Sequence, residues 1–428
     1  MGVYLKPAYP NPWTFAGAAR WTLHVLGVFA FTAAAIPSAR AQTLTTIYSF
    51  KGAPDGAGPW GGVIRDAAGN IYGTTQAGGN SEDEGTIFKI DSGGNETVLH
   101  AFAGWPNDGE SAYSGLAPDR AGNRYGTTFE GGSGCYSYGC GAVYKIDAAG
   151  EESVLYSFSG GIDGAFPRAN VILDSQDNIY GTTANGGTGC PFLGCGVVFK
   201  LTPSGQETVL YSFHGLDGAF PYSPVIRDSA GNIYGTTSIG GAAGYGVVFM
   251  LDASGNETIL HSFTGGEDGG DPLGGLIRDS GENLYGTTSA GGDIKCNAPD
   301  GCGVIFKMDA SGNETVLHAF HGIPDGTSPG YGSLITDGEA NLYGTTTEGG
   351  SAKCNAPYGC GIVFVVNESG KMAILHSFTG LTDGGVPYNG LVRDSAGNLY
   401  GTTYQGGDFT CNSVIGYGCG VVFKLSPR

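Results

Sequence analysis

Tyr72-Gly73-Thr74-Thr75 is the stretch on which the reading of this chain turns, because the same four letters return at Tyr125, Tyr180, Tyr234, Tyr285, Tyr343 and Tyr400. The spacings are 53, 55, 54, 51, 58 and 57 residues. Self-similarity at such a period marks one supersecondary unit repeated about or along an axis. The fifth copy displays the unit cleanly. Gly274 to Asp279 reads as a short apolar strand, a, and Ser280-Gly281-Glu282-Asn283 as a turn. Leu284 to Thr288 is strand b, and after a Gly-rich loop Gly303 to Asp309 is strand c. A second turn, Ala310-Ser311-Gly312-Asn313, leads into strand d, Glu314 to Phe320. Both turns place Asx-turn formers and Gly between β-rich runs. Nothing after residue 41 has a 3.6-residue apolar period, so almost no helix is expected.

Four short antiparallel strands per repeat, seven times over, predict an all-β, seven-bladed β-propeller. A β-helix would instead need parallel coils of roughly 20–30 residues, with no hairpin turns between successive strands. Strand d occurs first at Thr46 to Phe50, ahead of any strand a, and the last copy stops at strand c, Gly420 to Leu425. Pairing the N-terminal strand with the C-terminal blade would close the ring and cover both edges. Alternating strand direction then puts the b–c loops and the d–a crossovers on one face, the top. The a–b and c–d turns share the bottom.

Composition agrees. Gly makes up 80 of 428 residues without a three-residue period, which excludes collagen and points to many tight turns. Residues 1–41 read as a signal peptide: Arg20 precedes a mostly apolar run from Trp21 to Ile36, and Ala39-Arg40-Ala41 forms a small-x-small cleavage site. Residues 42–428 read as a single propeller domain. Losing Lys6, Arg20 and Arg40 and no acid takes the formal charge from −19 to −22. Such an acidic domain repels phosphate backbones, so nucleic acid is not an expected partner. Neither is membrane insertion after signal removal. The expected location is secreted, periplasmic or cell-surface, as a monomer.

The repeat frame resembles that of the GloVer (Gloeo/Verruco) tandem-repeat family of exported bacterial proteins. The seventh copy carries it as Gly390-Leu391-Val392-Arg393-Asp394-Ser395-Ala396-Gly397-Asn398-Leu399-Tyr400-Gly401-Thr402-Thr403. The first carries it as Val63-Ile64-Arg65-Asp66 followed by Gly69-Asn70-Ile71-Tyr72-Gly73-Thr74-Thr75. The resemblance spans all seven copies and implies an exported, repeat-built protein with no catalytic residues to carry over. Members often bear a C-terminal sorting anchor, whereas this sequence ends at Arg428, shortly after strand c.

Positions that stay the same in every copy read as structural. These are the Asp ending strand a (Asp66 in the first copy), the Asn before strand b (Asn70) and the Asp of the crossover (Asp55). Each flanks a turn whose amides it can satisfy. A slot in strand d holds His100, His261, His318 and His376, or Tyr48, Tyr156 and Tyr211, an interchange that suits a half-buried structural position rather than a metal ligand. No metal or cofactor is expected. The copies diverge at the entrance to strand a, nearest the axis: Trp60, Tyr113, Arg168, Tyr222, Leu273, Tyr331 and Tyr388. Aromatic faces at a channel mouth suit sugar rings or extended peptide. Trp60, Tyr113, Arg168, Tyr222, Tyr331 and Tyr388 are therefore the candidate ligand-binding residues.

All ten cysteines fall in b–c loops and pair by position: Cys135 with Cys140, Cys190 with Cys195, Cys296 with Cys302, Cys354 with Cys360, and Cys411 with Cys419. An even count within single loops of an exported chain predicts local disulfides. The functional reading is an exported, non-catalytic binding or scaffold propeller, with glycan or an extracellular peptide or protein engaged at the top-face mouth. Two alternatives stand beside it: a carbohydrate-active hydrolase or lyase using top-face carboxylates, and a purely structural spacer.

Overall fold

The β-branched and aromatic residues of each repeat form one small antiparallel sheet. The computed structural model describes residues 42–135, 138–339, 341–355, 357–411 and 417–427; the predicted signal peptide, 1–41, lies outside the described residues. In the first blade, strands a to d are Ile64–Arg65, Ile71–Thr75, Thr86–Ile90 and Glu96–Ala101, hydrogen-bonded in that order. Seven sheets of this kind make a seven-bladed β-propeller, and the described residues contain no helix. The seventh sheet takes Val392–Arg393, Leu399–Thr403 and Val421–Ser426 from the C-terminal end and Thr43–Ser49 from the N-terminal end. There Thr43 lies opposite Ser426, and Ser49 opposite Val421.

Strand a is shorter than its sequence suggests. Of Gly274 to Asp279, only Ile277–Arg278 pairs with strand b. The glycines ahead of it run against the next blade: a Cβ on Gly274 would lie 3.0 Å from the Gly332 carbonyl oxygen, and one on Gly275 2.4 Å from Ser333 Oγ. The sixth sheet has an additional strand, Thr327–Pro329, formed by its crossover against strand b.

The core is divided among the blade interfaces, seven clusters in all, including one that joins the seventh blade to the first. Each interface rests on the Phe that follows strand d. Phe50, Phe158 and Phe378 have no exposed surface, and they meet Phe88, Phe199 and Phe423 of the next blade edge-on at 5.0, 5.2 and 5.2 Å. Edge-to-face pairs of this kind add about 0.5–1.5 kcal/mol to what burial alone contributes.

Every letter of Tyr-Gly-Thr-Thr now has a cause. The Tyr hydroxyl donates to the Asp that ends strand a, as in Tyr72 to Asp66 at 3.1 Å, and the Asn70 side chain donates to the same oxygen at 2.7 Å. Burial alone would raise the Asp66 pKa; the bonds from Asn70 and Tyr72 outweigh it and hold the carboxyl below its ordinary value. The first Thr staples neighbouring blades: Thr74 Oγ1 donates to Ser114 O at 2.6 Å, and Thr402 Oγ1 to Gly61 O at 3.1 Å, from the last blade to the first. The second Thr closes the top of its own blade, as in Thr183 Oγ1 to Asn185 O at 2.8 Å.

The Gly of the motif has a steric role. It leaves room for the strand-c aromatic ring: a Cβ on Gly181 would sit 2.7 Å from Phe199 Cζ, in a ring with no exposed surface. Gly181→Ala is therefore expected to cost about 1–3 kcal/mol by overpacking, read as a lower denaturant midpoint with unchanged slope. An unchanged midpoint would show that the ring can move aside.

Candidate functional site

The chain's own pairing defines the top face. Crossover residues Gly56–Ala57 bond with Ala77–Gly78 of the b–c loop, and Gly109–Glu110 with Glu130–Gly131. Equivalent bridges join Ala165 to Asn185 and Gly385 to Gln405. Two residues before six of the seven mouth positions the backbone turns left-handed even where the side chain resists it, as at Phe166 (φ 57°), Phe220 (54°) and Val386 (57°); in the sixth blade the turn is at Ser328 (50°), three before Tyr331. Positive φ is rare for bulky or β-branched residues and persists only where surrounding bonds hold it. Here they do: Phe166 N donates to Cys140 O at 2.8 Å, and Phe166 O accepts from Ala184 N at 3.1 Å.

This turn aims one side chain per blade at the axis. The rings it brings together pack on one another. Trp60 stacks on Tyr388 with centroids 3.8 Å apart, and meets Tyr113 at 5.1 Å and Tyr331 at 5.7 Å. Tyr404, from the b–c side, closes on Trp60 at 5.4 Å. The Arg168 guanidinium lies over the rings of Tyr331 (4.7 Å), Trp60 (5.1 Å), Tyr113 (5.1 Å) and Tyr222 (5.2 Å). All six candidate residues thus converge, and Leu273 is half-buried at the seventh position. The mouth is a filled aromatic rosette with a cation inside it, not an open cup. The space left among these residues has a volume of about 30 Å³ and is lined also by Asn170, Ser333 and Asn389. That is room for about two waters. Sequence reasoning missed these three polar residues. They sit one or two positions past the varying one, where most copies have Gly, Ala, Ser or Pro.

The seven crossover carboxylates do not face this space as a free ring. Asp108 accepts from His100 Nε2 (2.9 Å), Ala103 N (2.8 Å) and Gly109 N (2.6 Å). Asp163 accepts from Tyr156 and Ser159 in the same way. The His/Tyr slot of strand d is thereby explained as the partner of the crossover Asp. Beside each pair in five blades stands the first residue of the next strand d: Glu96, Glu152, Glu207, Glu257 and Glu314. Each has a buried Oε1 with no hydrogen-bond partner. Burial first, and the nearby Asp second, push these five pKa values up to about 7. His100, Asp108 and Glu152 have donor atoms within 4.8 Å of one another, a spacing a metal ion could bridge. The equivalent Tyr48 and Tyr156 make the same bond to Asp55 and Asp163, so blade packing accounts for the arrangement.

The five disulfides are formed as the loop positions predict. Four of them pack against the crossover Gly, as Cys135 and Cys140 do at Gly160. In the fourth blade the Tyr245 ring fills that place at Gly265, and in the first blade Glu84 and Glu110 do so at Gly104. Burial and mutual repulsion raise the Glu110 pKa to about 7. The signal for this acid pair was present in sequence: Glu84 stands in the slot that five other copies give to their second Cys.

The family model of the Gloeobacter/Verrucomicrobia repeat matches residues 28–192, 80–298 and 192–415. The chain belongs to the Gloeobacter/Verrucomicrobia repeat family. No curated protein matches it. Among solved structures, the extracellular domain of a proposed one component system from B. thetaiotaomicron aligns with a TM-score of 0.53 at 13% identity, over 91% of this chain and 40% of that one. The extracellular domain of a proposed hybrid two component system from the same organism gives 0.50 at 11%, over 90% and 41%. A gluconolactonase from Xanthomonas campestris gives 0.42 at 15%, over 86% and 98%. This Gloeobacter/Verrucomicrobia repeat protein spans about 40% of the two larger proteins, and at such identity the likeness is one of fold. Its five disulfides point to export into an oxidising compartment.

Proposed function

We propose that this protein is an exported, non-catalytic binding module that engages an extracellular peptide or protein through its top face. One observation carries the reading. Of the fifteen large apolar side chains exposed among the described residues, fourteen lie in b–c loops or d–a crossovers. They include Ile162, Phe192, Leu216, Leu381 and Tyr417; Ile259, in an outer strand, is the exception. Scattered exposed apolar residues need no explanation, but their gathering on one face marks an interaction surface. Peptide is favoured over glycan because the mouth rings are occupied by one another and by Arg168, and aliphatic side chains at the rim offer little to a sugar. The crossover carboxylates, each engaged within its own blade, give little support to acid–base catalysis.

The test is selection from a displayed random-peptide library alongside a glycan array. Peptides are expected to be enriched, and the double variant Phe192→Asp, Leu216→Asp is expected to weaken them at least ~10-fold by removing desolvated anchors. Ile259→Asp serves as the control and should leave binding unchanged. Enrichment of glycans alone, or peptide binding indifferent to the top-face pair, overturns the reading.

A further inference from the structure

We infer that the space left among the rosette side chains is a carboxylate-binding site, so that the peptide recognised by the top face presents an acidic group at the axis. This rests on the proposed top-face reading and narrows it to one chemistry.

The site is built from donors. Among the described residues Arg168 is in none of the ion pairs, and its Nε is buried without a hydrogen-bond partner. Asn170 Oδ1 accepts from Gly115 N at 2.6 Å, and Asn389 Oδ1 from Gly390 N at 2.7 Å. Those backbone N–H groups fix which end of each amide is oxygen, and leave both amide nitrogens as the donors still to be used. Ser333 adds a hydroxyl, and among the described residues no carboxylate lines the space. Glycines opposite make room for these side chains: a Cβ on Gly62 would meet Asn389 Oδ1 at 2.9 Å, and one on Gly275 would meet Ser333 Oγ at 2.4 Å.

In a chain of formal charge −19, a lone guanidinium held among π faces, facing amide and hydroxyl donors, is a local exception. A free volume of about 30 Å³ admits the two oxygens of a carboxylate. Guanidinium and carboxylate match as a planar fork, and the aromatic surroundings keep the bonds from full competition by water. The rim would hold the rest of the peptide.

The experiment needs no macromolecular ligand. The Nε–Hε resonance of Arg168 in the 15N-labelled protein, assigned by its loss in Arg168→Gln, is followed while sodium acetate or sodium glutamate replaces sodium chloride at constant ionic strength. A saturable shift is expected, half-complete on the order of millimolar carboxylate as befits one weak contact. In Asn389→Ala, which keeps Arg168 and its rings, the half-point should rise at least ~5-fold. No saturable shift, or an unchanged half-point in Asn389→Ala, overturns the carboxylate site. Peptide capture at the rim is scored separately, so the top-face reading can survive that result.

Discussion

The thermal midpoint of the folded domain is expected to be highest between about pH 4 and 5 and to fall as the pH is raised to 8. The cause is the set of five glutamates that open strand d: Glu96, Glu152, Glu207, Glu257 and Glu314. Their folded pKa values, about 7, lie above the ordinary 4.5. A carboxyl whose folded pKa is raised stabilises the fold in its protonated form. That contribution is complete below the unfolded value and is lost as pH climbs through the folded one. Burial alone would lower the His100 pKa, but the hydrogen bond it donates to Asp108 holds it above its ordinary value, so it acts in the same direction, as does Glu110. The aspartates that end strand a act in the opposite direction. Burial alone would raise Asp119 and Asp279, but hydrogen bonds from Asn and Tyr leave both below the ordinary value. Their stabilisation is lost only as pH drops through the acid range, which sets the lower limit of the optimum.

These glutamates are only partly buried, so the full linkage value of the shift overstates each one. About 1 kcal/mol apiece is the discounted figure. Together that is roughly 5 kcal/mol, or about 6 °C for a domain of this size. The check is a series of unfolding scans from pH 4 to 9 on the natural chain and on the fivefold Glu→Gln variant. The variant should match the natural chain in mild acid and exceed it at pH 8, with a flatter profile between. A natural profile flat from pH 5 to 8 would remove the glutamates from the account. The sixth and seventh blades provide an internal comparison, because Met372 and Leu44 oppose the same strand-c residue there that these glutamates oppose elsewhere.

What could be read from the chain divides along a physical line. Disulfides were legible because each pair lies in one loop, so sequence distance stands in for spatial distance. The Asp–Asn–Tyr bonds of the motif were half legible for the same reason: Asp66 and Asn70 are four residues apart and flank one turn. The partner of the first Thr was not, because Thr74 reaches Ser114 across a blade interface. The mouth shows the limit most plainly. Its positions followed from the topology, but whether those rings leave a cup or fill it depends on the radius of the closed ring. No single repeat encodes that radius. Arg168 stood out as the charged member of an aromatic set, yet its contacts come from the first, second, fourth and sixth blades.

Removal of residues 43–49 is expected to have the largest effect of any small change, because that strand is the outer strand of the seventh blade. Without it Val421–Ser426 becomes an edge with a row of unpaired N–H and C=O groups, four of its residues buried in the intact sheet. Such an edge invites association between chains. Phe50, which has no exposed surface and meets Phe88 at 5.0 Å, would also lose the strand that positions it. Displacing a buried Phe alone costs about 3–5 kcal/mol, a large part of the stability of an ordinary domain. The shortened chain should therefore lose its single cooperative transition and self-associate on heating. A synthetic peptide covering residues 42–52, added in excess, should restore the transition by strand addition, with main-chain bonds supplying affinity and Phe50 supplying register. A scrambled peptide should not. If the shortened chain unfolds at the natural midpoint and stays monomeric, the N-terminal strand is dispensable, and the ring is held by the Thr402–Gly61 bond and the interface cores alone.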